Sequence, residues 1–117
     1  MIAAAVRVPL VINARVDVFI RNPQRPQAEL IEDAVARANR YLAVGADCAY
    51  PIGRLAEATV AALLPAIDGP VNVLWTPAGP PVARLAALGA ARVSAGGGLW
   101  QVAMDAFRSA FDELLPR

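Results

Sequence analysis

The side chains able to do chemistry in this chain are few, and they recur at the ends of apolar runs. Asn13, Arg15 and Asp17 follow Pro9, Leu10, Val11 and Ile12, so a buried parallel strand would deliver all three to one rim of a sheet. An arginine at such a rim is costly to desolvate unless an anion or a carboxylate meets it. Arg15 is therefore a candidate anion-binding residue, and an Arg15–Asp17 contact that only closes the mouth satisfies the same pattern. Asn72 interrupts the apolar run Val71–Trp75, where its amide could hold a carboxylate, orient water or merely satisfy backbone groups. Ser94 precedes Gly96, Gly97 and Gly98 at the start of a helical pattern, a place where free N–H groups suit a phosphate or carboxylate and where glycines also suit a tight turn.

Two absences narrow the chemistry. The chain has no histidine and no lysine, so all 11 of its basic residues are arginines, which stay protonated and cannot shuttle protons or form Schiff bases. A Ser-His-Asp triad, a Cys-His pair, a lysine aldolase and a His-based zinc site are thereby excluded within these residues. Cys48 is the only cysteine and, among Ala46, Asp47, Ala49 and Tyr50, reads as a small core residue in a strand rather than a nucleophile. The triple glycine is not a dinucleotide fingerprint, because no acidic residue on a following strand completes it.

With 117 residues, 57% of them hydrophobic, the chain suffices for one domain with a core, residues 1–117. A net charge of +1 with scattered acids and bases leaves no phosphate-backbone footprint, so nucleic acid is not expected as a partner. Apolar stretches break before the roughly 18 residues of a membrane span, and no signal-peptide pattern opens the chain. No membrane partner and a cytoplasmic location are the expectation.

Hydrophobic periodicity gives a repeated unit. Strands are expected at about residues 9–15, 47–51, 71–75 and 91–95. The first is followed by a Pro-rich loop and a helix with Leu30, Ile31, Ala34, Val35, Ala38, Tyr41 and Leu42 inward, stopped at Gly45. The second helix carries Leu55, Thr59, Val60, Leu63, Leu64 and Ile67 inward, and Pro65 should kink it or end it early. A short helix, Val82 to Leu88, ends at Gly89. The last has Leu99, Val102, Ala103, Ala106, Phe107, Ala110, Phe111, Leu114 and Leu115 inward. Residues 1–7 read as the tail of a helix. Four β-then-α units at about 25 to 35 residues each mean parallel strands with right-handed crossovers, as in a small doubly wound sheet or half of an eight-stranded barrel.

Four segments, Val11 to Asp17, Gly45 to Pro51, Gly69 to Leu74 and Leu88 to Gly96, resemble in order and spacing the second half of the phosphoenolpyruvate mutase/isocitrate lyase superfamily. The resemblance implies the C-terminal half of a (β/α)8 TIM barrel, an α/β fold with four parallel strands alternating with helices. It implies enzymes that cleave or rearrange C–C or P–C bonds beside a 2-oxo acid, with Mg²⁺ stabilising an enolate. The family's Asn-Ala-Arg-Thr-Asp arginine falls on Arg15, with Val16 in place of the threonine. Where the lyase branch has a glutamate this chain reads Pro51-Ile52-Gly53, which points toward the mutase-like members.

The substrate-binding set expected on these grounds is Arg15, Asn72, Ser94, Gly96 and Gly97, facing a small anionic 2-oxo acid or dicarboxylate. The metal-binding acids are expected in the N-terminal half, outside these residues. A homo-oligomer or a complementary half-barrel is the expected partner, since half a barrel leaves strand edges and apolar faces open. A non-catalytic half-barrel remnant that self-associates is the alternative.

Overall fold

The computed structural model describes residues 10–115. Four short strands alternate with helices: β1 (Asn13–Val16), β2 (Cys48–Pro51), β3 (Asn72–Leu74) and β4 (Arg92–Ser94). A one-turn helix α1 (Val18–Arg21) follows β1, and the longer helices are α2 (Gln27–Ala43), α3 (Glu57–Ala66), α4 (Val82–Ala87) and α5 (Gly98–Leu114). The fold is α/β with parallel strands. β1 pairs with β2 and β3 with β4, both in parallel, and one parallel bridge between Ala49 and Val71 joins the two pairs in sequence order.

Register decides which side chains share a face, because neighbours along a strand alternate and directly paired residues in adjacent strands point the same way. Ala14 pairs with Ala49, Ala49 bridges to Val71, and Val73 pairs with Val93. On this face Ala49, Val71 and Val73 join Val16 in the core with Leu30, Ala34 and Ala38 of α2, Val60 and Leu63 of α3, and Leu85 of α4. Three helices thus cover one face of the sheet, whereas a doubly wound arrangement would need helices on both.

Two identical joints set the spacing. Gly45 and Gly89 both lie at φ +102°, which only glycine adopts without strain. Each closes its helix with the paired hydrogen bonds of a Schellman turn: Gly45 N–H to Leu42 and Ala46 N–H to Tyr41, Gly89 N–H to Ala86 and Ala90 N–H to Leu85, all at 3.0–3.1 Å. The next strand then docks at once, Asp47 and Cys48 donating to the Ile12 carbonyl as Ala91 and Arg92 donate to that of Val71.

Several expectations need correction. The strand expected from residue 9 begins at Asn13, and residues 1–7 lie outside the described residues. Between the first strand and the Pro-rich loop lies α1, an element not expected from the sequence, whose Val18 and Phe19 are buried. Tyr41 is at the exposed end of α2 rather than inward. The early end expected at Pro65 is found: α3 stops at Ala66, and Ile67, read as part of its stripe, is already extended. The largest departure is α5, in which no residue is buried. Trp100, Phe107 and Leu114 are 62%, 60% and 76% exposed, and the Phe107 and Phe111 rings stack on each other at 6.1 Å. The radius of gyration is 17.3 Å, above the roughly 13 Å of a compact domain this size. The amphipathic stripe is present as read, but nothing described packs on it.

The core makes a direct prediction. Leu85 is 1% exposed, so Leu85→Ala should destabilise by about 2–5 kcal/mol. Val44→Ala, at a position 84% exposed, should leave chemical denaturation unchanged.

Candidate functional site

The face opposite the helices carries the polar side chains. Asn13 pairs with Cys48 and Arg15 with Tyr50, while Asn72 pairs with Arg92 and Leu74 with Ser94. Alternation places all eight away from the Val16–Ala49–Val71–Val73 face. Arg15, Asn72 and Ser94 are therefore on one side of the sheet, but Asn72 opens β3 and so lies at the amino end of its strand rather than at the carboxyl-end rim expected for it.

Arg15 is held by a carboxylate. Its Nε and Nη2 donate to the two oxygens of Asp17 at 2.7 and 3.0 Å, and Arg21 approaches Asp17 Oδ2 at 3.5 Å. The hydrogen bond to Asp17 raises the Arg15 pKa, and the same bond holds the Asp17 carboxyl below its ordinary range. The contact with Asp17 is formed, and it uses the Nε and Nη2 edge of the guanidinium. The pair remains accessible, with the Arg15 side chain 56% exposed, and it lines an open cavity of about 420 Å³ with Arg21, Arg25 and Arg37.

Asn72 is 1% exposed. Its Nδ2 donates to Ser94 Oγ at 3.2 Å, and Ser94 Oγ donates to Tyr50 Oη at 3.3 Å. The amide oxygens of Asn72 and Asn13 are buried with no hydrogen-bond partner among the described residues. Sequence reasoning missed Tyr50; the signal was the alternation Cys48-Ala49-Tyr50-Pro51, which puts the phenol level with Arg15 once β1 and β2 pair. Cys48 is buried on this face, and burial pushes its thiol pKa up, which suits a structural thiol rather than a nucleophile.

Gly96 and Gly97 lie apart from Ser94's contacts. Gly96 has φ +51° and Gly97 caps α5 without a side-chain hydrogen bond. Gly97 and Gly98 line a cavity of about 700 Å³ with Arg54, Thr76 and Trp100, and Asp105 lies on the same wall. Gly98 N–H is already used by the Ala95 carbonyl at 2.8 Å. Among the described residues no three Asp, Glu or Cys side chains converge on a metal-sized site. Asp17 is engaged by two arginines and Asp47 accepts the Ile12 N–H at 2.8 Å, so these residues do not fit Mg²⁺ by themselves.

The chain matches the phosphoenolpyruvate phosphomutase family over residues 1–115. It belongs to that family. A crystal structure from Burkholderia cenocepacia J2315, of a protein assigned as a phosphonomutase, superposes with a TM-score of 0.81 at 34% identity, covering 95% of this chain and 45% of that one. A second from the same organism, assigned as a lyase/mutase, gives 0.77 at 34% identity, over 94% of this chain and 39% of that one. The family member described here thus spans less than half the length of either structure. No curated protein matches it. Among the described residues no helix is long and apolar enough to cross a membrane.

The Arg15–Asp17 pair is testable by titration. Because the folded Asp17 pKa is lowered, its contribution to stability is present above the unfolded value near 3.9 and is lost as pH falls through the folded value. In Arg15→Ala the Asp17 carboxyl should titrate higher, read by carboxyl ¹³C shifts, and the stability gap to the parent should close on acidification.

Proposed function

We propose that this chain is the anion-binding half of a family enzyme that acts on C–C or P–C bonds of a 2-oxo acid, with Arg15 contacting the substrate and Ser94 and the buried Asn72 shaping the same face. The observation that carries this reading is the arrangement of the sheet: parallel strands in sequence order, helices on one face, and every chemistry-bearing strand residue on the other. In this reading the sheet is half of a (β/α)8 barrel whose lumen is the polar face. In such barrels ligands sit at the carboxyl ends of the strands. Arg15 and Ser94 lie at or next to those ends.

In this reading Mg²⁺, which the family resemblance implies, would polarise the 2-oxo acid and stabilise an enolate when bound. Its ligands would come from the other half of the barrel, supplied by a second polypeptide or by sequence outside these residues. Gly96 and Gly97 at the start of α5 are a further candidate for the substrate's anionic group. The residues of this chain would bind and orient the anion.

A second reading, a non-catalytic half-barrel that self-associates, is favoured by a specific observation. Among the described residues β1 and β4 are each paired on one side only, and the whole apolar stripe of α5 is bare. Each large aliphatic side chain left in water forgoes roughly 1.5–3 kcal/mol of burial.

Two experiments separate these readings. The 117-residue chain with Mg²⁺ should not turn over phosphonopyruvate or oxaloacetate, because electrostatic stabilisation of an enolate needs a correctly held metal. Mg²⁺-dependent turnover that disappears in Arg15→Ala would overturn the placement of the metal ligands. In sedimentation the chain should associate at micromolar concentration, and the double variant Phe107→Ser/Phe111→Ser should weaken association at least tenfold. A stable monomer would remove the self-association reading.

A further inference from the structure

On the open face, the register places Arg15 beside Tyr50 and Asn72 beside Arg92, and the Ala49–Val71 bridge brings Tyr50 next to Asn72. The row across the four strands is therefore Arg15, Tyr50, Asn72, Arg92. A guanidinium stands at each end and two neutral polar groups lie between. No strand residue on this face is an acid; Asp17 lies just beyond β1 and pairs with Arg15 and Arg21. Arg92 makes no ion pair among the described residues.

The hydrogen bonds between these groups have a direction. Asn72 Nδ2 donates to Ser94 Oγ, which donates to Tyr50 Oη, so the chain ends on a phenol whose own O–H has no acceptor among the described residues. The amide link, at 3.2 Å, is at the upper end of the N–H···O range, and the hydroxyl link, at 3.3 Å, is long beside the ~2.8 Å usual for hydroxyl donors. An acceptor placed at the phenol would polarise and tighten such a chain. A phenol serving only as packing would not need a buried amide and a hydroxyl aligned behind it, since phenylalanine fills nearly the same space.

We propose that Tyr50 is a ligand-binding residue of this family member, its hydroxyl donating to an oxygen of a carboxylate or enolate beside Arg15, with Ser94 and Asn72 as the positioning residues that orient the phenol. The inference rests on the anion-binding function proposed above and adds the neutral donor that sets where the second oxygen of the ligand lies. Arg15 supplies charge, and Tyr50 supplies direction.

The test is an NMR titration of the 117-residue chain with oxalate and with oxaloacetate, following the Tyr50 ring resonances and the Arg15 side-chain N–H. Binding should shift the Tyr50 ring signals. Tyr50→Phe should weaken binding about tenfold, the effect of losing one hydrogen bond to a charged group. It should leave the thermal midpoint near that of the parent. Ser94→Ala should weaken binding several-fold with Ser94→Thr restoring it, a rescue that a loss of packing would not show. If oxalate binds and Arg15→Ala abolishes binding while Tyr50→Phe leaves affinity and ring shifts unchanged, the role of Tyr50 is overturned and the anion site stands. If the parent chain binds neither probe, or Arg15→Ala binds as well as the parent, the anion-binding function and this inference fall together.

Discussion

Everything in this fold depends on one face of a narrow sheet being apolar and the other not. Val16, Ala49, Val71 and Val73 have at most 5% of their surface exposed against α2, α3 and α4. That burial fixes the register, because a slip of one residue would turn the valines outward and drive Arg15, Asn72 and Ser94 into the helix layer. The polar row is thus specified by the apolar one behind it. Strands of three or four residues have few ladder hydrogen bonds, so the hydrophobic contact rather than the ladder must hold their alignment.

The Gly45 and Gly89 joints convert this alignment into a repeat. Each ends a helix in a left-handed residue and starts the next strand within three residues. Identical geometry at both places carries the chain from helix layer to sheet in the same direction each time. Parallel order and helices on one face follow from repeating one joint, with no long-range instruction needed. The side-chain links between units are fewer: Gln27 to Thr59 at 2.9 Å and Arg84 to Glu57 at 2.8 Å tie neighbouring helices, and the second pair is largely exposed.

Much of this was legible in the chain. The α2 and α3 stripes were read from spacing because both helices bury one side against the sheet, and Leu30, Ala34, Ala38, Val60 and Leu63 are buried as expected. The onset of β1 was read too early: Leu10, Val11 and Ile12 are as apolar as a strand, but although the Ile12 carbonyl accepts from Cys48 the paired residues begin at Asn13. Alternation cannot detect a missing partner. The same limit explains α5: its pattern reports that an apolar face exists, while what covers it is a property of other chain segments. Arg15 and Asn72 could be found because a polar residue in an apolar run is conspicuous. Tyr50 could not, because an aromatic residue in a strand is ordinary until its neighbours across the sheet are known.

The arrangement at Arg15 bears on how an anion would be received. A guanidinium offers five N–H donors, and the Nε and Nη2 edge is already filled by Asp17 in a two-point contact. An incoming carboxylate would have to displace an acid tethered two residues away or accept from the remaining N–H groups, chiefly those of Nη1. The first course is disfavoured, since Asp17 is also held by Arg21 and its carboxyl is kept ionised. The second leaves only part of the guanidinium for the ligand, so Arg15 alone cannot grip a carboxylate with the geometry of a free fork. Additional donors must then come from adjacent strands, and on this sheet the residue level with Arg15 is Tyr50. Asp17 therefore does more than neutralise: by occupying one edge of the arginine it orients the other, and under the proposed anion-binding role specificity would depend on the neutral groups next to the charge.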